Sequence, residues 1–466
     1  MIGSESRLPL QGEAKNATIT PMSTLSSQPY KGTRDFYPAE KRVQNYIFST
    51  WKRVMQRYGY EEYSAPMLEP LEVYAAKSGN ELANEQTYAF IDRGGRTVAI
   101  RPEMTPSISR MVAAKRQELA YPARLFSVAN FMRYERPQRG REREFWQLNA
   151  DIFGADGVRV EAEIIALGAA ILKEFGATDD MYTIKINNRK VINFMMSQYL
   201  ELDAVQAQLM TKLFDRKDKI SHEDFRDQAI DIFGEKNAPV GLQKISKLLL
   251  AKNMGELPEE IREDIAVKEV QVLFTLLEKA GIKNAVFDST LMRGLDYYTG
   301  TVFEFFDQDP QNNRSLFGGG RYDGLVGLFG AEPLSAVGFA PGYTTTELFL
   351  RSHNLLPELR STTEVYVVVL GDALEGAEEL AGNLRQEGVN VELDITGRKL
   401  DKQMKTAIKK DIPFMVFVGD EELKQEIYPF KDTASSQEER VSFERMVSVV
   451  KDRRRKHTDE LDEFFE

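Results

Sequence analysis

The sequence has no cysteine and only three histidines, His222, His353 and His457, scattered along 466 residues. Without cysteine there can be no disulfide framework and no thiolate metal site. Histidines so far apart suggest neither a zinc site nor a Ser-His-Asp triad. Each reads as a surface or helix-cap residue, and no metal ligand is assigned. No apolar run approaches the roughly 20 residues a membrane helix needs. The start lacks the basic stretch and apolar core of a secretory signal. These absences point to a cytoplasmic protein that makes no membrane contact, in which Arg, Glu, Asp, Gln and Tyr carry any chemistry.

What is present is ample core material: 42% hydrophobic and 29% charged residues over a length that suggests two or three domains. The net charge of −11 weighs against nucleic-acid binding without excluding it, because phosphate contacts depend on local patches. Residues 1–29 are Ser/Thr/Gly/Pro-rich and aperiodic and read as a disordered extension. Residues 30–188 alternate helix with strand, 189–285 are helical and charged, and 286–350 return to strand. The middle block is therefore an insertion between two halves of one domain. A linker at 351–363 precedes an alternating α/β unit with a largely parallel sheet at 364–455, and 456–466 is a charged, solvated tail. Apolar spacing predicts helices over Glu40–Tyr58 and Glu161–Phe175.

Four segments are candidates for chemistry. In Phe131–Gly154 two strand-like runs flank Pro-Gln-Arg-Gly, which predicts a hairpin. Alternation puts Gln147, Asn149 and Asp151 on one face of its second strand and Trp146, Leu148, Ala150 and Ile152 on the other. An exposed hairpin also alternates, but arginines at 133, 136, 139, 141 and 143 would repel one another unless a polyanion such as a triphosphate or an RNA backbone drew them together. The second segment, Leu291–Phe306, sets an arginine, an aspartate and paired tyrosines before a strand; alone it fits a core or interface equally well. Third, Gly318-Gly319-Gly320 resembles a phosphate cradle without the Gly-Lys-Ser/Thr that would complete it, and equally fits close backbone approach or a bent strand. The fourth, Arg101–Pro106, is an extended polar turn that also suits a helix cap.

Taken in order, KGTRDFYP, RPEMTP, FMRYERPQRGREREFWQ, RGLDYYTGTVFE, GGGRYDGL and GFAPG resemble the class II aminoacyl-tRNA synthetases, and within them the histidyl-tRNA synthetase family, from about Tyr30 to Lys451. The resemblance implies an α+β catalytic core, with an antiparallel sheet flanked by helices, a helical insertion and a C-terminal α/β anticodon-binding domain. It implies activation of histidine by ATP, with magnesium arriving on the nucleotide, transfer to tRNA(His), and a homodimer whose interface includes the segment around Pro66. Glu103 and Thr105 would hold the amino group of histidine; Gln147, Asp151, Tyr297 and Tyr298 would read its imidazole. Arg133 would grip the α-phosphate and the carboxylate, Glu135 would face adenine, Arg293 would neutralise the α-phosphate, and Arg141 or Arg143 would assist at the phosphates. A catalytically idle relative that senses histidine or uncharged tRNA is the alternative implied by the same motifs. One position departs from the pattern: Thr345 stands where the family's third motif ends in arginine. The loss of such a charge-assisted contact costs about 1.5–3 kcal/mol, which leaves Arg321 or a hairpin-loop arginine to cover the leaving pyrophosphate.

Overall fold

The computed structural model describes residues 26–75, 85–217, 220–251, 253–292, 297–312 and 314–463, with side chains as far as Arg455. Most of the expected disordered extension, and Arg293, lie outside these residues. The helix expected over Glu40–Tyr58 is present as α1 (Pro38–Arg57). Proline suits its first turn, where the missing N–H would have had no partner. Ile47, Trp51, Val54 and Met55 form its buried stripe. The chain continues through β1 (Glu61–Glu62), β2 (Leu68–Pro70), α2 (Glu72–Ala75), β3 (Ala89–Ile91), β4 (Thr97–Ile100) and α3 (Thr105–Ala114). Next come the hairpin β5 (Ala123–Met132) and β6 (Glu144–Phe153), then α4 (Val158–Glu174) and β7 (Tyr182–Asn188).

The insertion is helical as expected: α5 (Arg189–Phe194), α6 (Ala204–Asp215), α7 (His222–Phe233), α8 (Ala238–Leu250), α9 (Glu259–Arg262) and α10 (Ile265–Lys279). It has its own core around Met195, Leu213, Phe214, Leu248 and Val267. Polar side chains mark its boundaries. Asp203 closes a capping box with Gln206 at the start of α6, and Ser221 caps α7. Strand returns in β8 (Ala285–Phe287), β9 (Thr301–Asp307), β10 (Ser315–Arg321) and β11 (Ala336–Phe339), followed by α11 (Tyr343–Ser352).

These strands build an eight-stranded sheet in the order β1-β5-β6-β11-β10-β9-β7-β8. Its interior pairings are antiparallel, and parallel pairs close both edges, β1 with β5 and β7 with β8. Leu148, Ala150 and Ile152 of β6 join Phe303, Phe305, Val337 and Phe339 in the core beneath α1 and α4. Burying side chains of this size contributes about 1.5–3 kcal/mol each. Because strand side chains alternate, Gln147, Asn149 and Asp151 turn to the opposite face, where Phe153, Val302 and Tyr322 form a second cluster with α3. The triple glycine lies in β10, inside the sheet, so it is neither a turn nor a loop cradle. A Cβ on Gly320 would come within 2.6 Å of the Thr301 carbonyl and 2.8 Å of the Tyr298 ring.

A separate three-stranded sheet, β2-β4-β3, leaves Met67, Leu68, Phe90 and Ile91 exposed. The C-terminal unit comprises β12 (Val365–Val369), α12 (Leu374–Gln386), β13 (Val391–Leu393), α13 (Leu400–Lys409), β14 (Phe414–Val418), α14 (Asp420–Gln425), β15 (Tyr428–Asp432), β16 (Glu438–Val441) and α15 (Phe443–Glu463). Its sheet is mixed rather than largely parallel: β13, β12 and β14 are parallel, and β15 and β16 add an antiparallel extension. The second strand of that hairpin was hidden in sequence because Glu438, Glu439 and Arg440 are charged and exposed, although Tyr428 and Phe430 of the first strand are buried. The charged tail is not a separate segment, since α15 runs on to Glu463. Among the described residues no helix is long and apolar enough to cross a membrane.

Candidate active site

The polar face of β6 links two groups of residues. At its inner end Asp151 is 3% exposed and accepts a hydrogen bond from the Tyr322 hydroxyl. Burial pushes the carboxyl up to about 7, and the Tyr322 bond only partly offsets this. The backbone of β11 lies so close that a Cβ on Gly338 would fall on Asp151 Oδ1. Tyr322 packs edge-on against Tyr297 at 5.8 Å, and Tyr297 lies 5.0 Å from Tyr298. The Tyr297 hydroxyl donates to Glu103 Oε2 at 3.0 Å, and Glu103 is itself 4% exposed. Thr105 opens α3 beside them and faces the Tyr297 hydroxyl. Burial, then the Glu103 charge, holds Tyr297 well above the usual phenol range; burial, then Asp151, does the same for Tyr322. Both phenols therefore stay protonated donors at neutral pH.

Gln147 lies four residues back along β6, about 13 Å away at strand rise. It lines a cavity of about 190 Å³ together with Arg133, Glu135, Arg141, Phe317 and Thr345. Arg133 follows directly on β5; its Nε donates to the Pro102 carbonyl at 2.9 Å, and its guanidinium lies 5.2 Å from the Phe145 ring. It thus stands between the cavity and the Glu103 turn. Glu135 pairs with Arg141 through one oxygen, while its other oxygen, Oε1, is buried without a partner.

The structure separates the arginines that sequence left equivalent. Arg141 lines the cavity and Arg143 does not. Arg143 lies 4.2 Å over the Tyr134 ring and bonds the Tyr30 hydroxyl at 2.9 Å, so it fastens the N-terminal segment to the hairpin. Arg321, expected at the phosphates, is instead 9% exposed and held by Glu161 through two bonds of 2.7 and 2.8 Å, with Asp323 at 3.1 Å. A guanidinium taken up by two carboxylates is not free for a phosphate. The expectation for Arg321 failed because nothing local in sequence announces Glu161. Arg293 cannot be located, being outside the described residues.

Sequence reasoning passed over Tyr322, which directly contacts Asp151. The available signal was parity: Gly320 and Tyr322 sit two apart, and the Gly320 face meets Tyr298. Trp146 packs against Phe48 at 5.4 Å, on the apolar side as expected. Among the described residues no group of three or more His, Asp or Glu side chains could hold a metal ion.

A family model described as histidyl-tRNA synthetase matches residues 32–344, and one described as an anticodon binding domain matches 364–453. A histidine–tRNA ligase of Leptospira biflexa is 40% identical over 435 residues, covering 92% of this chain and 98% of the relative. One from Haloarcula marismortui is 36% identical over 409 residues, covering 86% and 92%. Among solved structures, a histidyl-tRNA synthetase from Nostoc superposes with TM-score 0.77 at 25% identity, covering 92% of this chain and 100% of that one. The apo Staphylococcus aureus enzyme gives 0.68 at 25% identity with the same coverage. With matches of this extent over both the sheet domain and the C-terminal unit, the chain belongs to the histidyl-tRNA synthetase family.

Proposed function

We propose that this protein is a histidine–tRNA ligase that activates histidine with ATP and transfers it to tRNA(His). The observation that carries the reading is the pairing of a buried Asp151–Tyr322–Tyr297–Glu103 cluster with an arginine-lined cavity on one strand face. Imidazole is donor and acceptor at once. The Asp151 carboxylate accepts its N–H, while a neighbouring tyrosine hydroxyl supplies the donor; Gln147, about 13 Å along the strand, belongs to the nucleotide cavity instead. A site that pairs each polar atom rejects analogues lacking them by large factors, so no editing step is needed. Glu103, with Thr105, suits the ammonium group, and Tyr298 packs the wall.

In the first step a carboxylate oxygen of histidine bonds to the α-phosphorus as the bond to the bridging oxygen breaks, and pyrophosphate departs. No protein nucleophile is required, so alignment and fixed positive charge do most of the work. Arg133 stands between the two groups and is the candidate for the α-phosphate; Arg293 is assigned the same charge by resemblance alone. The unpartnered Glu135 Oε1 suits the amino group of adenine, and Arg141 lines the cavity where the phosphates would lie. Magnesium would arrive with ATP. The cavity carboxylates Glu135 and Glu142 already pair with Arg141 and with Thr344. In the second step a terminal ribose hydroxyl of the tRNA bonds to the carbonyl carbon of the histidyl adenylate as the bond from that carbon to the phosphate oxygen breaks. AMP leaves with the electron pair and its phosphate takes up the hydroxyl proton, with residues 364–455 on the anticodon side and 189–285 as the insertion.

The exposed Met67, Leu68, Phe90 and Ile91 on the three-stranded sheet support a homodimer joined there, and the working compartment is the cytoplasm. Histidine-dependent exchange of labelled pyrophosphate into ATP tests the reading. A folded protein that binds histidine but catalyses no exchange would instead be a sensor.

A further inference from the structure

Thr345 carries a neutral hydroxyl at the start of α11, and that hydroxyl is fully engaged. It donates to the Leu316 carbonyl at 2.8 Å and lies 3.0 Å from the Gly342 carbonyl. Its effect is to clip the beginning of β10 to the helix. Two residues before Leu316 comes Arg314, whose Nη1 donates to the Arg139 carbonyl in the hairpin loop. The guanidinium lies against Gly140: a Cβ there would come within 2.8 Å of Arg314 Nη1 and 3.4 Å of Leu348 Cδ1. Leu348 is one helical turn beyond Thr345 and on the same side of α11. Gly140, Ser315 and Thr345 all line the cavity that Arg133 and Arg141 share.

Arg314 is not itself part of the cavity's lining; it lies against Gly140, which is, on the strand whose next residues Ser315 and Leu316 line the cavity beside the uncharged Thr345. Its planar fork has five donors, and the one bond described goes to a neutral carbonyl. Among the described residues no carboxylate forms an ion pair with it. Its neighbours differ: Arg321 is held by Glu161, and Arg34 and Arg351 are both held by Glu347.

We propose that Arg314 supplies the charge missing at Thr345, binding the β- and γ-phosphates of ATP and then the departing pyrophosphate. The inference rests on the ATP-using reading above. As the bond between the α-phosphorus and the bridging oxygen breaks, its electron pair leaves with pyrophosphate. A fixed cation at that end therefore helps the transition state more than the bound substrate.

The test uses the full-length protein and its Arg314→Ala, Arg314→Lys and Arg314→Ala/Thr345→Arg variants. Calorimetry measures binding of a β,γ-methylene analogue of ATP, of AMP and of histidine. Loss of one charge-assisted contact should weaken the analogue about 10- to 100-fold and leave AMP and histidine unchanged. Lysine should recover part of the loss, and Thr345→Arg should restore analogue binding in the alanine background. Unchanged analogue affinity in Arg314→Ala would overturn the proposal, as would equal weakening of AMP, which would indicate a collapsed loop. Exchange activity of the unsubstituted protein judges the ligase reading separately, because analogue binding reports on Arg314 whether or not chemistry follows.

Discussion

Gln147 stands in the wall of an open cavity, and four residues along the same strand Asp151 is 3% exposed and already bonded to Tyr322. The proposed histidine end of the site is a buried network in which Tyr322 bonds Asp151 and Tyr297 bonds Glu103 before any ligand arrives. The proposed nucleotide end is a loop-bounded recess in which Arg133 leans on the Phe145 ring and the Pro102 carbonyl and Arg141 pairs with Glu135. A small, neutral-to-dipolar amino acid needs preformed hydrogen-bond partners, because unsatisfied buried polar groups are costly. A hydrated polyanion needs charge that can close around it. The hairpin serves both, with rigid strand at one end and an irregular loop at the other.

The largest effect that could break this contrast is removal of Arg133, which bridges the two ends. Arg133→Ala is expected to lower the pyrophosphate-exchange rate about 100- to 1000-fold; an unchanged rate at saturating ATP and histidine would remove it from the chemistry. Next is Arg321→Ala, which strands the buried Glu161 carboxylate. About 3–5 kcal/mol of stability should be lost, read as a lower urea midpoint, while the surviving folded fraction keeps its KM for ATP. A raised ATP KM with unchanged stability would return Arg321 to the phosphates.

Asp151→Ala should raise the histidine KM about 10- to 100-fold and leave that for ATP alone; equal effects on both would mean that the two ends are not separable. The pH dependence sharpens the same point. The carboxyl titrates at about 7, so its acceptor form is lost, and histidine binding weakens, as pH falls through that value. For folding the sign is opposite. A carboxyl raised above its ordinary value of about 4 stabilises most below that value and loses its contribution as pH rises through about 7. Asp151→Asn should flatten both profiles. The smallest effect is expected from Arg143→Ala: cation–π and hydrogen-bond contacts with Tyr134 and Tyr30 are lost, read as a slightly lower urea midpoint with exchange nearly unchanged, whereas Arg141→Ala should raise the ATP KM.

Much of this was legible before the structure. The helix ending at Arg57, the hairpin and the helical insertion follow from apolar period and turn residues, which are local properties. The sorting of Gln147, Asn149 and Asp151 from Leu148, Ala150 and Ile152 follows from strand alternation alone. Arg321 and Tyr322 were misjudged together for a different reason. They are adjacent in sequence, but one turns to Glu161, 160 residues away, and the other to Asp151, 171 residues away. The mixed C-terminal sheet was missed because its edge strand, with Glu438, Glu439 and Arg440 exposed, carries little apolar signal.

Composition, periodicity and motif order by themselves determined the fold class, the family and which hairpin side chains share a face, since each is written in neighbouring residues. Only the tertiary structure decided which arginines are free to meet a phosphate. A guanidinium's availability depends on the carboxylates and rings that folding brings to it: Glu161 holds Arg321, Tyr134 and Tyr30 hold Arg143, and Arg314 donates to the neutral Arg139 carbonyl beside Gly140.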